Sequence, residues 1–235
     1  MPACLAAALL AACSDLSSSE GGVVALEVVR PAVTQLEVGD SLQMLARALD
    51  AEGEELPEAE IWWTTPDTTV RVDSASGWVV PLRAGLSGRV LARSGSLISG
   101  LTTFNFLARA DTLIREYPAD TTLPVGVTAS GPLAVRLESF DPPGPLSGRS
   151  LVFEIVEPVF ADPDLRTVEL STGALLDTLT TGSTGGPASP VELRVAEGQP
   201  APDSAVVEFR SSRFRGAEPV PGSGQRTIIR FTPQP

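Results

Sequence analysis

Short apolar runs, broken about every ten residues by glycine, proline or aspartate-bearing turns, constrain this chain more than any other feature. Ala25-Leu26-Glu27-Val28-Val29, Ile61-Trp62-Trp63-Thr64 and Val70-Arg71-Val72 are each long enough for a strand and too short for a stable helix. Ser41 to Leu49 alternates polar and apolar residues, the period of a half-buried strand. Arg30-Pro31 breaks the first run, since proline cannot continue a central ladder. Pro66-Asp67 and Asp73 to Gly77 make turns between later runs, which continue through Trp78-Val79-Val80, Gly88 to Arg93 and Leu101 to Leu107. This punctuation predicts an all-β chain of sandwiches rather than βαβ units.

The second half keeps the rhythm. Leu133 to Leu137 alternates, Asp141-Pro142-Pro143-Gly144-Pro145 reads as a rigid turn, and Leu151 to Val156 is the strongest β segment of the chain. Val191 to Val195, Ser204 to Arg210 and Thr227 to Phe231 supply three more strands. The Gly/Ser/Thr/Pro-rich stretches Thr180 to Pro190 and Glu218 to Gln225 read as mobile loops. A chain of 235 residues suits two domains of ordinary sandwich size.

Charge and residue usage exclude several function classes. The net charge of −12 disfavours nucleic acid as a partner. Histidine is absent, and the two cysteines, Cys4 and Cys13, both lie near the N-terminus. The rest of the chain therefore cannot assemble the common zinc, Ser-His-Asp or Cys-His sites. The expectation is a protein that is not an enzyme, with no cofactor, no metal and no catalytic residues. The acidic stretch Asp50 to Glu60 lacks the Asp-x-Asp-x-Asp-Gly alternation that aims oxygens at one Ca²⁺, and reads as a solvated loop. Asp67 and Asp73 sit beside turns and are expected to close them through their side chains. Arg210, Arg213 and Arg215, with Phe209 and Phe214, read as a strand end with arginine stems laid on apolar surface.

Adjacent Trp62 and Trp63 on one strand must point to opposite faces. Trp63 is expected in the core. Trp62 faces outward or lies under the flanking loop, and is the candidate ligand-binding residue for a carbohydrate or protein.

Two resemblances extend this reading. The apolar run Ala3 to Ala12 is too short to span a bilayer and ends in Leu10-Ala11-Ala12-Cys13. It resembles the lipobox of bacterial lipoproteins, which implies a signal peptide over 1–12, lipidation of Cys13 and a linker over 13–22. Membrane attachment would then run through the N-terminal lipid anchor. Ser14 after the cysteine resembles lipoproteins exported to the outer membrane of Gram-negative bacteria.

The second resemblance is carried by Val38-Gly39-Asp40, Leu42-Gln43-Met44-Leu45-Ala46, Asp50-Ala51-Glu52-Gly53, Trp63-Thr64-Thr65-Pro66-Asp67, Val72-Asp73 and Gly77-Trp78-Val79, followed by Gly85 to Ala92. In this order they resemble the bacterial Ig-like domain of group 2, placed over 23–108. After an interdomain segment over 109–122, residues 123–235 resemble in a more degenerate way a second Ig-like sandwich, of the group 1 or invasin type. Together these resemblances imply an all-β cell-envelope lipoprotein with tandem Ig-like β-sandwiches after a lipoprotein signal peptide. Its expected role is surface adhesion or structural spacing. The alternative is an accessory module of the periplasm or outer membrane that binds polysaccharide or protein.

Overall fold

The computed structural model describes residues 22–215 and 218–233, so the expected signal peptide, Cys13 and all of the linker but Gly22 lie outside the described residues. The chain is all-β, its strands gathered into several sheets, with a single turn of 3-10 helix at Pro163–Leu165 among the described residues. It divides into two compact units. Residues 22–34, 41–82 and 87–105 make the first; 35–40, 83–86, 106–215 and 218–233 make the second.

The strands of the N-terminal half are β1 (Ala25–Val29), β2 (Gln35–Glu37), β3 (Leu42–Gln43), β4 (Leu45–Leu49), β5 (Trp62–Thr64), β6 (Val70–Val72), β7 (Trp78–Pro81), β8 (Ser87–Ser94), β9 (Leu97–Ile98) and β10 (Thr102–Leu107). In the first unit β8 is the hub, with β10 and β5 as antiparallel neighbours and β9 folded back on its end. A second sheet has the order β3-β7-β6, and β1 pairs β4 over five residues. The alternating run Ser41 to Leu49 is thus split. Its first part pairs with β7 and its second with β1, and the switch falls at Met44, whose N–H donates to the Gly77 carbonyl at 3.0 Å. Met44, Trp63, Val79, Val90, Ala92 and Phe104 point inward and close the core.

Gly77 shows how tightly this core is built. Its φ of +73° is a left-handed conformation, and an added Cβ would stand 2.6 Å from Trp63 Nε1 and 2.7 Å from the Met44 carbonyl oxygen. Only glycine satisfies both the backbone and the space there.

The second unit contains β11 (Thr112–Arg115), β12 (Asp120–Leu123), β13 (Val135–Phe140), β14 (Pro143–Pro145), β15 (Ser150–Glu157), β16 (Val168–Leu170), β17 (Leu176–Thr180), β18 (Leu193–Val195), β19 (Ser204–Arg210) and β20 (Gln225–Phe231). Residues 109–122, expected to join two domains, carry β11 and most of β12, which pair with β13 and β20. The largest sheet has the order β12-β20-β19-β15-β17, facing β11-β13-β14 and the pair β16-β18 across one core. Strict alternation along β15 sends Leu151, Phe153 and Ile155 inward. Phe153 meets Phe209 of β19 edge to face, with ring centroids 5.5 Å apart.

Two expectations are corrected here. The Asp141 to Pro145 turn continues into β14, which pairs with β13 through Glu138↔Pro145 and Phe140↔Pro143. The Thr180 to Pro190 stretch is closed on itself and pinned: Gly182 N–H donates to the Gly186 carbonyl, and Leu137 N–H donates to the Gly185 carbonyl at 2.9 Å. Small residues serve close approach there, since a Cβ on Gly185 would lie 2.5 Å from the Leu137 carbonyl oxygen.

Candidate functional site

Strand parity sorts the two tryptophans. On β5, Trp63 is buried at 5 % exposure, while Trp62 turns to the other face and keeps 37 % of its surface open. Register places Trp62 directly opposite Arg93 of β8, and Arg93 directly opposite Ile98 of β9. Residues so paired share one face, so Trp62, half-buried Arg93 and exposed Ile98 form a row across three strands.

Beside Trp62 lies a groove of about 540 Å³ within the first unit, walled by the acidic loop at Leu56, Pro57, Glu58 and Glu60 and by Ser94 of β8. The loop residues and the indole line this groove together, and the indole stays part-open. Chemically the groove combines an aromatic face with nearby carboxylates, which suits a ligand that stacks on the ring and donates hydrogen bonds at its edge.

The acidic loop is organised from within. Asp50 Oδ1 accepts from the amides of Glu52 at 3.0 Å and Glu54 at 2.8 Å. Among the described residues, no three His, Cys, Asp or Glu side chains converge in a way that could hold a metal ion.

Asp73 closes its turn as expected, accepting from the Ser76 hydroxyl at 2.7 Å and from the amides of Ser76 and Ala75. The Ser76 hydroxyl first, then these amides, hold its carboxyl below the usual value. Asp67 behaves differently from expectation. Its carboxylate reaches across to β8, where Arg89 donates from Nη2 at 2.8 Å, Nε at 3.0 Å and the backbone N–H at 2.8 Å. These bonds, the guanidinium's foremost, lower the Asp67 pKa and raise that of Arg89.

The arginine-aromatic stretch begins at the end of β19 and its side chains go to different partners. Phe209 is in the core, Arg210 pairs with Glu154 and Glu208, and Arg213 pairs with Glu218 at 3.2 Å. Phe214 instead supports a feature the sequence did not announce. In the second unit Arg149 and Glu37, 5 % and 1 % exposed, face each other with Nη2 and Oε1 3.0 Å apart. The Arg149 guanidinium lies 5.1 Å above the Phe214 ring and donates to the Ala108 carbonyl, while Phe214 N–H donates to Glu37 Oε2 at 3.3 Å. Burial pushes the Arg149 pKa down, and the charges of Glu37 and Asp40 oppose it. Neither partner sits in a recognisable motif, so only the folded chain brings them together.

No protein-family model matches the chain, and no curated protein matches it. Among solved structures it is similar to domains 4 and 5 of the S-layer protein SbsC, at 16 % identity and a TM-score of 0.34, covering 90 % of this chain and 99 % of that one. It is also similar to the Yersinia pseudotuberculosis adhesin InvE, at 17 % identity and a TM-score of 0.38, over 91 % of this chain and 61 % of that one. With the Escherichia coli adhesin FdeC the identity is 15 % and the TM-score 0.46, over 92 % and 65 %. The chain thus spans less than two thirds of the length of either adhesin's solved structure.

Proposed function

We propose that this chain is a non-catalytic cell-envelope lipoprotein, tethered through Cys13 to the outer membrane of a Gram-negative bacterium, whose Ig-like units serve surface adhesion or spacing. The observation that carries the reading is Trp62, a large aromatic left part-open beside a groove of the first unit. Absence of histidine from the whole sequence supports the non-catalytic part. Lasting attachment needs more than one acyl chain, which lipoprotein processing of Cys13 would supply.

The test has two arms. An alkyne-tagged fatty acid is fed to a Gram-negative host expressing the native protein or Cys13→Ala. Label in the native protein alone supports the anchor; label in neither removes it. Cells displaying the native protein or Trp62→Ala are then compared for attachment to matrix-coated surfaces. Equal attachment to that of cells without the protein overturns adhesion and leaves spacing.

A second reading is an accessory module that binds polysaccharide or protein, and the carboxylates of Glu58 and Glu60 beside the indole favour it. Calorimetric titration with envelope glycans should then give saturable heat that Trp62→Ala abolishes. Heat that survives the substitution excludes this groove.

A further inference from the structure

We propose that the groove beside Trp62 takes an amino sugar whose amine is free, as one unit of a cationic polysaccharide. This rests on the reading of the chain as a module that binds polysaccharide or protein, and names the chemistry of what the groove holds.

The walls of the groove select for charge. Glu58 and Glu60 line it and are exposed, and no arginine is among its walls. Among the described residues the ion pairs of the first unit are Arg47–Glu27 and Arg89–Asp67, so both glutamates stand without a cation. Two unpaired carboxylates favour an ammonium and repel uronic acids and phosphates. The indole of Trp62 adds to the same preference, since the negative face of the ring attracts a cation.

A second observation, independent of charge, points to a ligand with hydroxyls. Ser94 lines the groove at 6 % exposure, and its hydroxyl has no hydrogen bond among the described residues. Buried polar groups in folded proteins are nearly all paired, so this hydroxyl is left for whatever enters the groove. A lysine side chain would answer the carboxylates with one point charge on a flexible stem. A pyranose carries an apolar face for the indole, hydroxyls for Ser94 and an ammonium for the glutamates on a single rigid ring. The groove, at about 540 Å³, is also of small-molecule size and larger than the tip of a lysine needs.

The acidic wall is set before any ligand arrives. Leu56 N–H donates to the Ala48 carbonyl at 2.8 Å, and Glu55 bridges to Leu49, which together tie the loop to β4. Ala59 N–H donates back to the Leu56 carbonyl at 3.1 Å and closes the turn that carries Glu58. A wall already ordered loses little freedom on binding, which favours affinity.

The experiment is calorimetric titration of the full chain at about pH 5.5, above the ordinary glutamate value of about 4.3. The probes are a tetramer of β-1,4-linked glucosamine, its fully N-acetylated counterpart and tetralysine. The glucosamine tetramer should bind tightest, and the acetylated one at least roughly tenfold more weakly, because hydrogen bonds to charged groups exceed neutral ones. Glu58→Gln with Glu60→Gln should erase that difference. Glu52→Gln with Glu54→Gln removes the same charge from the same loop outside the groove's walls, and should leave the difference intact. The comparison separates the groove from the general pull of an acidic protein on any polycation. All four glutamates are exposed, so neither double variant disturbs the core.

Equal affinity for the free and acetylated tetramers overturns the amine and leaves the accessory reading standing. Tetralysine binding as tightly as the glucosamine tetramer overturns the sugar in favour of a basic protein partner. Equal losses in the two glutamate pairs overturn the groove as the place of binding. Heat from none of the three probes removes both the amino sugar and the accessory reading of this groove.

Discussion

Glu37 and Arg149 form a buried ion pair, 1 % and 5 % exposed, with Oε1 and Nη2 3.0 Å apart. Two desolvated charges are tolerable only together; the Ala108 carbonyl and Phe214 add partners, while Arg149 Nη1 is buried without a hydrogen bond. Removing one partner leaves the other buried and uncompensated. Arg149→Ala or Glu37→Gln should therefore cost about 3–5 kcal/mol of unfolding free energy in urea. The double variant Glu37→Leu, Arg149→Met should recover most of that loss, since apolar pairs of similar volume often replace buried ion pairs at little cost. A double variant as unstable as the single ones would contradict this.

Acid should weaken the first unit through Asp67 and Asp73. Their carboxyl pKa values are lowered in the folded chain, chiefly by the Arg89 guanidinium and the Ser76 hydroxyl respectively. A carboxyl with a depressed folded pKa contributes its stability above its unfolded pKa, about 4, and loses it as pH falls through the folded value. Urea midpoints should therefore hold steady at neutral pH and decline below about pH 4. The decline should be shallower in Asp73→Asn and Asp67→Asn, and added salt should shrink the Asp67 part, because that pair is solvent-facing. An unchanged acid limb in both variants would remove these two groups as its cause.

Gly77→Ala should be far costlier than its size suggests. The new methyl would enter left-handed backbone and press on the Trp63 ring and the Met44 carbonyl. A loss of about 2–4 kcal/mol is expected, combining backbone strain with an overpacked core. Near-ultraviolet circular dichroism should change together with stability, since the displaced group is an indole. Wild-type stability would mean that the turn can relax around the methyl.

The adjacent tryptophans should respond oppositely to truncation. Trp63→Ala empties a core position and should cost about 3–5 kcal/mol, whereas Trp62→Ala should cost less, about 1–3 kcal/mol, because its ring is part-open. In Trp78→Phe, acrylamide should quench one tryptophan component readily and the other poorly, and Trp62→Phe should delete the accessible one. Uniform quenching would contradict the assigned parity.

Much of this fold was legible because it rests on local period. The limits expected for the strands at Ala25 to Val29, Val70 to Val72 and Ser204 to Arg210 coincide with β1, β6 and β19, and alternation alone separated Trp62 from Trp63. The Asp73 turn was legible for the same reason, its partners lying within three residues. What escaped depends on distant partners. Asp67 shares its turn-edge context with Asp73, yet its bonds come from Arg89, 22 residues on. Thr112–Arg115 is short and Asp120–Leu123 is polar, and both become strands because β13 and β20 offer them edges. The glycine-rich stretch after Thr180 reads as slack because nothing local shows that Leu137 bonds to it. Of the candidate groove, Trp62 and the acidic loop were legible in the sequence; the alignment of Trp62 with Arg93 and Ile98 is a matter of register.

The switch at Met44 has a further consequence for how the first unit comes apart. One uninterrupted run from Leu42 to Leu49 serves as a strand in two sheets, so neither sheet has a lifetime of its own. Prying β3 from β7 drags the root of β4, and freeing β4 from β1 tugs at the bond between Met44 and Gly77. Proteases and hydrogen exchange should accordingly find no half-open form of the unit in which one sheet persists without the other. A run of eight residues thus works as a stitch, turning two thin layers into one fabric that holds or fails as a whole.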